Sequence, residues 1–487
     1  MNYPQDGDRN RKLRLVSFTL ALAALLPAVA WAQELPKTWV DKDTGHRVYR
    51  LTDEPGSQSL YFNVNAYSPD GKLMVYTAPD GIHVYDFAAR KTRLLVANGK
   101  PPAGDNDPRA RFEYAVRLVQ AGRKTPSVFF TKFDPETHSN GLYKADMYSG
   151  EVTKVVGSLQ RGESVITINA DETLAAGTMN DGPAVAGNQP QAPRNNGTAG
   201  DVQAESKGQM MERRLASRQP LLLYTIDLRP GPDNGKMKVL LHSTDWINHL
   251  LFSPSDPNLL MYCHEGPWQK VDRIWTIHTD GTNNTLIHKR TMLMEIFGHE
   301  FWGLDGQTIW YDWQYPKGED FFLASYNLET GERTAYHMQR NEWSIHFNLT
   351  KNADLFTGDG GDPGQVAKAP DGEWIYLFRP KMITGAGALN SPDFWQPGVF
   401  RSEKLVNMAH HNYRLEPNVR FSPDETMVIF RSNMFGPSYV FAVEVAKATN
   451  VNPAEVQSTP ELAAKFNPVS PKPTGTPATE PLLRPTN

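Results

Sequence analysis

The sequence predicts an all-β protein that forms a single seven-bladed β-propeller. Its 487 residues include 51 Phe, Tyr and Trp side chains together with 37 Gly and 37 Pro, and such a mixture favours short strands over long helices. Hydrophobic residues make up 39% and charged residues 21%, which allows a full core and disfavours global disorder. A short unit with its own turn recurs along the chain, and repetition of this kind is typical of ring or solenoid folds. A propeller of this length commonly forms one domain.

The repeated unit starts with a small or apolar residue, continues into an Asp- or Asn-containing turn and ends in a hydrophobic strand. Three copies are clear, three are weaker and one is degenerate: 66–76, 252–262 and 421–430; 168–174, 302–310 and 347–356; and 114–130. A second hairpin follows each copy, often closed by a Gly-containing turn such as Ser149-Gly150. Two hairpins make a four-stranded blade. Because one blade cannot bury both of its faces, the blades must close into a ring. The alternative all-β fold, a sandwich, does not accommodate seven similar units.

The N-terminus carries the pattern of a secretory signal peptide over residues 1–32. A basic segment (Arg9, Arg11, Lys12, Arg14) precedes an apolar run from Leu15 to Ala30, and Ala30-Trp31-Ala32 forms a cleavage motif before Gln33. The alternative is an uncleaved anchor, but the run is short for a membrane span. We therefore predict a periplasmic or secreted protein with no membrane span after cleavage. Since Cys263 is the single cysteine, no intrachain disulfide forms.

Composition also sets the domain boundaries. The propeller is predicted over residues 37–450. It is interrupted by a long surface insertion over 181–212, which is rich in Gly, Pro, Asn and Gln. Residues 451–487 are rich in Pro and Thr, and we expect a mobile tail outside the fold with at most one helical turn around Pro460–Lys465.

The charge balance argues against nucleic acid as a partner. The formal net charge is −4, and removing the leader makes it more negative, because the leader carries four basic and two acidic side chains. Nucleic-acid-binding proteins normally show a basic excess. An anionic small molecule stays possible if a local cluster of Arg, Lys or metal binds it.

Histidines near the starts of the predicted blades are the main functional signal. The innermost strand of each propeller blade lines the central channel, so residues at equivalent positions in different blades converge on one point. A single histidine is more often a hydrogen-bonded core residue, but several at equivalent positions favour a ligand or metal site. No compact zinc spacing is present. The histidines concerned are His249, His264, His299, His346, His410 and His411.

Several segments resemble one family in the order in which they occur. They are Asp43–Thr52, Leu60–Ala66, Asn248–Phe252, Cys263–Pro267, His299–Trp302 and Asp354–Asp359. From about residue 37 to residue 445 the chain resembles an oligogalacturonate lyase, a seven-bladed propeller polysaccharide lyase that acts on short pectin fragments. The resemblance implies β-elimination on a uronic acid. In this reaction a cation neutralises the sugar carboxylate and a base removes the proton from C5.

The resemblance also implies roles for individual residues. His249 matches the family's base, Arg218 an active-site arginine, and His299 a metal-binding histidine. The family takes its other metal ligands from a Gln-x-x-His-x-His run before the last blade, and here the equivalent run is Tyr413-Arg-Leu-Glu-Pro-Asn418. Glu416 and Asn418 would supply oxygen ligands, which suit a hard divalent cation such as Mn or Ca. Alternatively, Arg414 or Arg420 replaces the charge of the metal.

The sequence therefore predicts a lyase that cleaves short, acidic, oligogalacturonate-like oligosaccharides. The catalytic residues would be His249 and Arg218, and the metal ligands would be His299, Glu416 and Asn418. Substrate contacts would come from His264, His346, Tyr413 and Arg414. Two alternatives stay open: a non-catalytic envelope propeller that binds a ligand or protein, and a lyase for a different uronate linkage.

Overall fold

Seven four-stranded antiparallel blades make up most of the computed structural model, as the sequence predicts. The structure describes residues 34–101, 113–160, 162–183, 185, 206–362, 370–385 and 394–468. The predicted signal peptide therefore lies outside the described residues. The described residues from Pro36 onward belong to one compact unit. No helix in this described part is long and apolar enough to cross a membrane.

The strands follow one another blade by blade along the chain. Blade 1 contains β3 (Gln58–Ser59), β4 (Leu73–Ala78), β5 (Gly81–Asp86) and β6 (Lys91–Ala97). Blade 2 contains β7 (Arg117–Ala121), β8 (Ser127–Asp134), β9 (Ser139–Asp146) and β10 (Val152–Val156). Blade 3 contains β11 (Ser164–Ile168), β12 (Leu174–Asn180), β13 (Leu221–Asp227) and β14 (Met237–Ser243). Blades 4 to 6 are formed by β15 (Trp246–Phe252), β16 (Leu259–Glu265), β17 (Ile274–His278) and β18 (Thr285–Leu286); by β19 (Ile296–Trp302), β20 (Thr308–Gln314), β21 (Phe321–Asn327) and β22 (Arg333–His337); and by β23 (Phe347–Leu349), β24 (Phe356–Gly358), β25 (Trp374–Met382) and β26 (Trp395–Asn407).

The seventh blade joins the two ends of the propeller. It contains β27 (Arg420–Phe421), β28 (Met427–Ser432) and β29 (Tyr439–Lys447), and its fourth strand is β2 (His46–Arg50) from the start of the chain. Two further strands, β1 (Thr38–Asp41) and β30 (Val456–Gln457), extend the same sheet. Blades 5 and 6 are linked by the parallel pairing of β22 with β26, so they appear as one eight-stranded sheet.

Each predicted repeat forms the connection between the first and second strands of a blade. In blade 1, Ser68 Oγ donates to Asp70 Oδ1 at 2.6 Å and accepts the Leu73 N–H at 3.0 Å. Ser422 makes the same pair of bonds at 2.6 and 3.0 Å in blade 7. Such side-chain bonds fix a tight turn, which explains why the Ser-Pro-Asp pattern marks the blades so well.

The predicted boundary of the C-terminal tail needs correction. β30 pairs with β1, and helix α2 (Thr459–Phe466) follows it directly. The Trp39 indole donates to Thr459 Oγ1 at 2.8 Å, and Phe466 packs edge-on against Phe435. Residues 451–468 thus belong to the fold, because they cover Trp39, and the rest of the predicted tail lies outside the described residues.

The predicted insertion is also shorter than expected at its C-terminal end. Helix α1 (Lys207–Ser217) begins inside it, with Ser206 as the N-cap. Ser206 and Gln209 exchange hydrogen bonds in a capping box, a local signal for a helix start. Residues 207–212 are therefore helical rather than loop, and most of the preceding insertion lies outside the described residues.

The innermost strands of three blades share an irregularity. Leu118 in β7, His249 in β15 and His299 in β19 have φ angles of +47°, +48° and +46°, and the strand register shifts at each of them. A non-glycine residue in the left-handed region costs about 1–3 kcal/mol, and such residues cluster at functional sites. A β-bulge also re-aims side chains. At two of the three bulges that side chain is a histidine.

Candidate active site

His249 is held by a buried carboxylate from the neighbouring strand. Its Nε2 lies 3.1 Å from Glu265 Oε2 at the end of β16. Burial raises the pKa of Glu265, but the hydrogen bond with His249 and the charge of Arg273 outweigh it, so the pKa lies well below its ordinary value. Glu265 is therefore an anion and accepts the Nε2–H of His249. In the neutral imidazole this leaves Nδ1 as the proton acceptor.

Arg273 fixes that carboxylate from the other side. Its Nη1 lies 2.7 Å from Glu265 Oε1, and the side chain is fully buried. Burial lowers the pKa of Arg273, but the surrounding negative groups, Glu265 and Glu300 among them, raise it above its ordinary value. Both carboxylate oxygens of buried Glu300 lack a hydrogen-bond partner among the described residues. The candidate base, His249, is therefore positioned by Glu265, which is in turn held by the buried Arg273.

His299 makes a second histidine–carboxylate pair, in the next blade. Its Nδ1 lies 3.3 Å from Asp312 Oδ2 on β20, and its ring centre is 4.9 Å from that of His346. Burial lowers the pKa of His299, but the charges of Asp312 and Glu416 and the hydrogen bond with Asp312 outweigh it and raise the pKa. Since Asp312 binds Nδ1, Nε2 is the nitrogen available to a ligand.

His346 lies at the centre of a buried network. Asp359 Oδ2 accepts its Nδ1–H at 2.8 Å, and Asp359 Oδ1 accepts the backbone N–H groups of Ile345 and His346. The Tyr61 hydroxyl therefore donates to Nε2, at 3.1 Å. Both ring nitrogens of His346 are hydrogen-bonded, so the ring is fixed in place. In this arrangement His346 has no free nitrogen for the predicted substrate, and its influence on a ligand passes through Tyr61.

In the predicted run at 413–418, two side chains are buried and hydrogen-bonded within the protein, and one carboxylate is available to bind a cation. Tyr413 is buried and its hydroxyl donates to the Asp359 backbone oxygen at 3.1 Å. Asn418 is buried, and its amide oxygen accepts bonds from Arg431 Nη2 and Nε at 2.5 and 3.1 Å. Only Glu416 presents a partly exposed carboxylate, 3.8 Å from His346 Nε2. Tyr413 and Asn418 thus position the loop, which is a structural role that the sequence did not suggest.

The donor set fits a divalent cation only in part. His299 and Glu416 line the same cavity, but the oxygen of Asn418 is taken by Arg431. Within the described residues no group of three or more His, Cys, Asp or Glu side chains is arranged to hold a metal. A cation at this position would therefore have two protein ligands and would need substrate or water oxygens for the rest.

Three predicted site residues do not line the cavity that His299 and Glu416 share. Arg218 ends α1 on the surface and forms an ion pair with Asp245. His264 packs edge-on against Tyr262 and Trp275, and burial lowers its pKa. Arg414 is exposed. His264 is displaced because side chains alternate along a strand: its neighbour Glu265 meets His249, so His264 faces the other side.

The remaining histidine and arginine candidates are structural. His411 is buried between Ser432 and the Leu415 carbonyl, and His410 contacts the Asn467 carbonyl. Arg420 donates to the backbone oxygens of residues 60, 61 and 64. It therefore ties blade 7 to blade 1 and is not placed to replace the charge of a metal.

A cavity of about 710 Å³ connects the cluster to α1. Glu416, His299 and Ile345 line one part of it, while Trp268 and the first turns of α1 line another. Sequence reasoning missed Trp268, Arg273, Glu265, Asp312 and Asp359 as site residues. The only available signal was the His-Glu pair at 264–265, because strand alternation would have separated the roles of the two residues.

The fold and the cluster define a class: a seven-bladed propeller with paired histidines and carboxylates at one mouth of its channel. The family model "Oligogalacturonate lyase" matches residues 218–449, which include His249, His299 and the 413–418 run. Over residues 218–449 the chain is similar to the oligogalacturonate lyase family, as the resemblance predicts.

The relatives carry the same name at moderate identity. An oligogalacturonide lyase of Pectobacterium atrosepticum is 26% identical over 218 residues, 43% of this chain and 53% of the relative. An oligogalacturonate lyase of Dickeya dadantii is 28% identical over 233 residues, 46% of this chain and 55% of the relative. The chain thus spans about half the length of the curated relatives it matches.

Solved structures agree on the fold. An oligogalacturonate lyase in complex with manganese superposes with a TM-score of 0.60 at 20% identity, covering 84% of this chain and 96% of that one. The oligogalacturonate lyase of Vibrio parahaemolyticus gives a TM-score of 0.61 with the same identity and coverage. At this identity the likeness supports the propeller fold and no more.

Proposed function

We propose that this chain is a lyase that cleaves short uronic-acid oligosaccharides, of the oligogalacturonate type, by β-elimination with His249 as the base. The observation that carries the proposal is the chain of contacts from Arg273 through Glu265 to His249 Nε2. A buried anion that orients an imidazole is the arrangement that general-base catalysis requires. The match of residues 218–449 to the oligogalacturonate lyase family model supports the same reaction class.

The proton and electron balance is simple. His249 Nδ1 takes the proton from C5 of the uronate, and the released electron pair forms the C4–C5 double bond. The C4–O bond breaks, and the leaving oxygen gains a proton from solvent. Glu265 stays ionised throughout and stabilises the imidazolium that forms, as the orienting carboxylate does in other histidine-based sites.

The substrate carboxylate needs positive charge close to it. A divalent cation, Mn or Ca, held by His299 and Glu416 would supply that charge and make the C5 proton more acidic. Lys207, in the first turn of α1, and Lys317 line the same cavity. Their positive charges attract an acidic sugar whether or not a cation is bound. A role for Arg218 stays a prediction, since its guanidinium pairs with Asp245.

An ultraviolet assay of the unsaturated product tests the proposal. We expect product from oligogalacturonates, and a loss of kcat by about 10²–10⁴-fold in His249→Ala, the usual contribution of a general base. His242→Ala is the matched control, because His242 is exposed and pairs with Asp181 in blade 3. Glu265→Gln should lower kcat by about 10²-fold with little change in KM, because it misplaces the imidazole.

The alternatives give different results. No product from any uronate oligosaccharide would refute the lyase and favour a binding propeller. Product from another uronate alone would move the substrate to a different linkage. Activity that is unchanged by chelator would remove the cation from the proposal and leave the base in place.

Periplasmic or secreted localisation is part of the proposal. It rests on the leader pattern of residues 1–32. N-terminal sequencing of the exported protein tests it, with Gln33 as the expected first residue.

A further inference from the structure

Trp268 is an aromatic side chain that lies beside the candidate active site. It follows β16 in the connection to β17, is partly exposed, and lines the cavity of about 710 Å³ that also reaches His299 and Glu416. None of the roles derived above uses it. An aromatic ring on the wall of a ligand cleft is a common binding element.

The indole ring is held rigidly. The Arg273 guanidinium lies 4.4 Å from the ring centre, over one face. The far edge of the ring abuts Gly298, where a Cβ atom would come within 2.8 Å of the indole, and His299 contacts the ring edge-on with centres 5.1 Å apart. The absence of a side chain at Gly298 therefore makes room for the ring. Arg273 covers one face of the ring, and the ring also lines the cavity that His299 and Glu416 share.

Arg273 links this ring to the candidate base. The same guanidinium that lies over Trp268 forms the ion pair with Glu265, which in turn holds His249 Nε2. One buried side chain thus sets the positions of the ring and of the imidazole together. A ligand stacked on the ring would be placed at a fixed distance from the base.

The chemistry of the cleft suits an acidic sugar. The apolar C–H face of a pyranose packs on an indole face, and aromatic contacts of this kind add to simple burial. The cavity is lined by residues with amide and ammonium groups (Gln209, Gln269, Lys207 and Lys317) and by the carboxylate residues Glu212 and Glu416. The amide and ammonium groups match hydroxyls and carboxylates. The volume exceeds that needed for one sugar, since ligand pockets of this size hold drug-sized molecules.

We propose that Trp268 is the stacking platform of a second sugar subsite, next to the ring that is cleaved, and that Arg273 keeps this platform in register with His249. The proposal rests on the function proposed above for its substrate class. It goes beyond that function because it names the side chain on which the second sugar unit stacks and the residue that positions this side chain. It predicts that affinity depends on chain length through Trp268.

Binding to an inactive variant tests the platform separately from catalysis. Trigalacturonate and galacturonate monomer are titrated by calorimetry into His249→Ala, and into the same variant carrying Trp268→Ala, Trp268→Phe or Phe394→Ala. We expect Trp268→Ala to weaken trimer binding about tenfold, which is 1.4 kcal/mol, and Trp268→Phe to weaken it less. Phe394→Ala is the matched control, because Phe394 is 60% exposed and does not line this cavity. Monomer binding should change less than trimer binding.

Each outcome decides the matter. Equal trimer affinity with and without the Trp268 indole would overturn the platform, and so would a failure of the trimer to bind at all. If Trp268→Ala does not fold, Trp268→Phe takes its place, and unchanged affinity there overturns the proposal. In the active protein, Trp268→Ala and Trp268→Phe should raise KM and leave kcat nearly unchanged. Cleavage by the unaltered protein without any effect of Trp268 would refute the platform alone, and trimer binding through Trp268 without cleavage would refute the lyase alone.

Discussion

The two ends of the propeller channel are built from the same seven inner strands but carry different chemistry. At the mouth near the amino ends of these strands, His249, His299 and His346 each face a carboxylate. At the other end, a cavity of about 160 Å³ is lined by the turns that follow the strands, with Arg123 and Arg420 as its cations. The first end holds charges in opposed pairs, whereas no ion pair joins the described residues that line the cavity at the second end.

The contrast shows where a repeat protein places function. The far end consists of the turns between the first and second strands, which the fold needs in every blade, so little is free to vary there. At the near end the repeat is broken by bulges, and of the three bulged inner-strand residues in the left-handed region, two are the candidate site histidines His249 and His299. Functional residues thus lie where the strands depart from regular pairing.

Comparing one arginine from each end gives the largest expected effect. Arg273→Met should destabilise the protein by about 3–5 kcal/mol, because it leaves the buried Glu265 charge unpaired. Arg123 makes no hydrogen bond or ion pair with any described residue, and burial lowers its pKa to about 10. Arg123→Met should therefore change stability by less than about 0.5 kcal/mol or increase it. Denaturant unfolding measures both, and equal losses would mean that the two ends do not differ in charge pairing.

Acid unfolding sharpens the comparison through Glu265. Its pKa is lowered in the folded protein from the ordinary value of 4.5, so the unfolded chain binds the proton more readily. Its contribution to stability is full above pH 4.5 and is lost as the pH falls below that value. Unfolding midpoints measured between about pH 7 and about pH 3 should fall less steeply for Glu265→Gln than for the unaltered protein. Parallel slopes would show that Glu265 is not the anion described here.

The smallest effect is expected at the far end. Ser422 lines that cavity, donates to Asp424 and accepts the Met427 N–H. Ser422→Ala should cost about 1 kcal/mol of stability, the typical value of such a bond, with kcat unchanged. A loss of kcat at full stability would show that the far end takes part in function.

Local signals explain what could be predicted from the sequence. The seven turns were predictable because each is fixed by bonds between residues a few positions apart, such as Ser68 and Asp70. His249 and His299 were found from their positions before the turns. Glu265 and Asp312 were missed because their pairing with these histidines depends on strand register and on a bulge, neither of which periodicity reveals. Asn418 was assigned as a ligand because it stands where the resembled family has a metal-binding histidine, and nothing nearby in sequence indicates Arg431, which contacts it.

The closing blade has a consequence for how the protein is made. β2 near the start of the chain pairs with β29, about four hundred residues later. The hydrogen bond from the Trp39 indole to Thr459 joins residues that are equally far apart in sequence. During synthesis the edge of β2 that pairs with β29 therefore stays unpaired until the other blades have emerged. Contacts so distant along the chain slow folding, and an exposed strand edge invites wrong pairing during that interval. Shielding this edge of β2 during synthesis is therefore expected to raise the yield of correctly closed propellers.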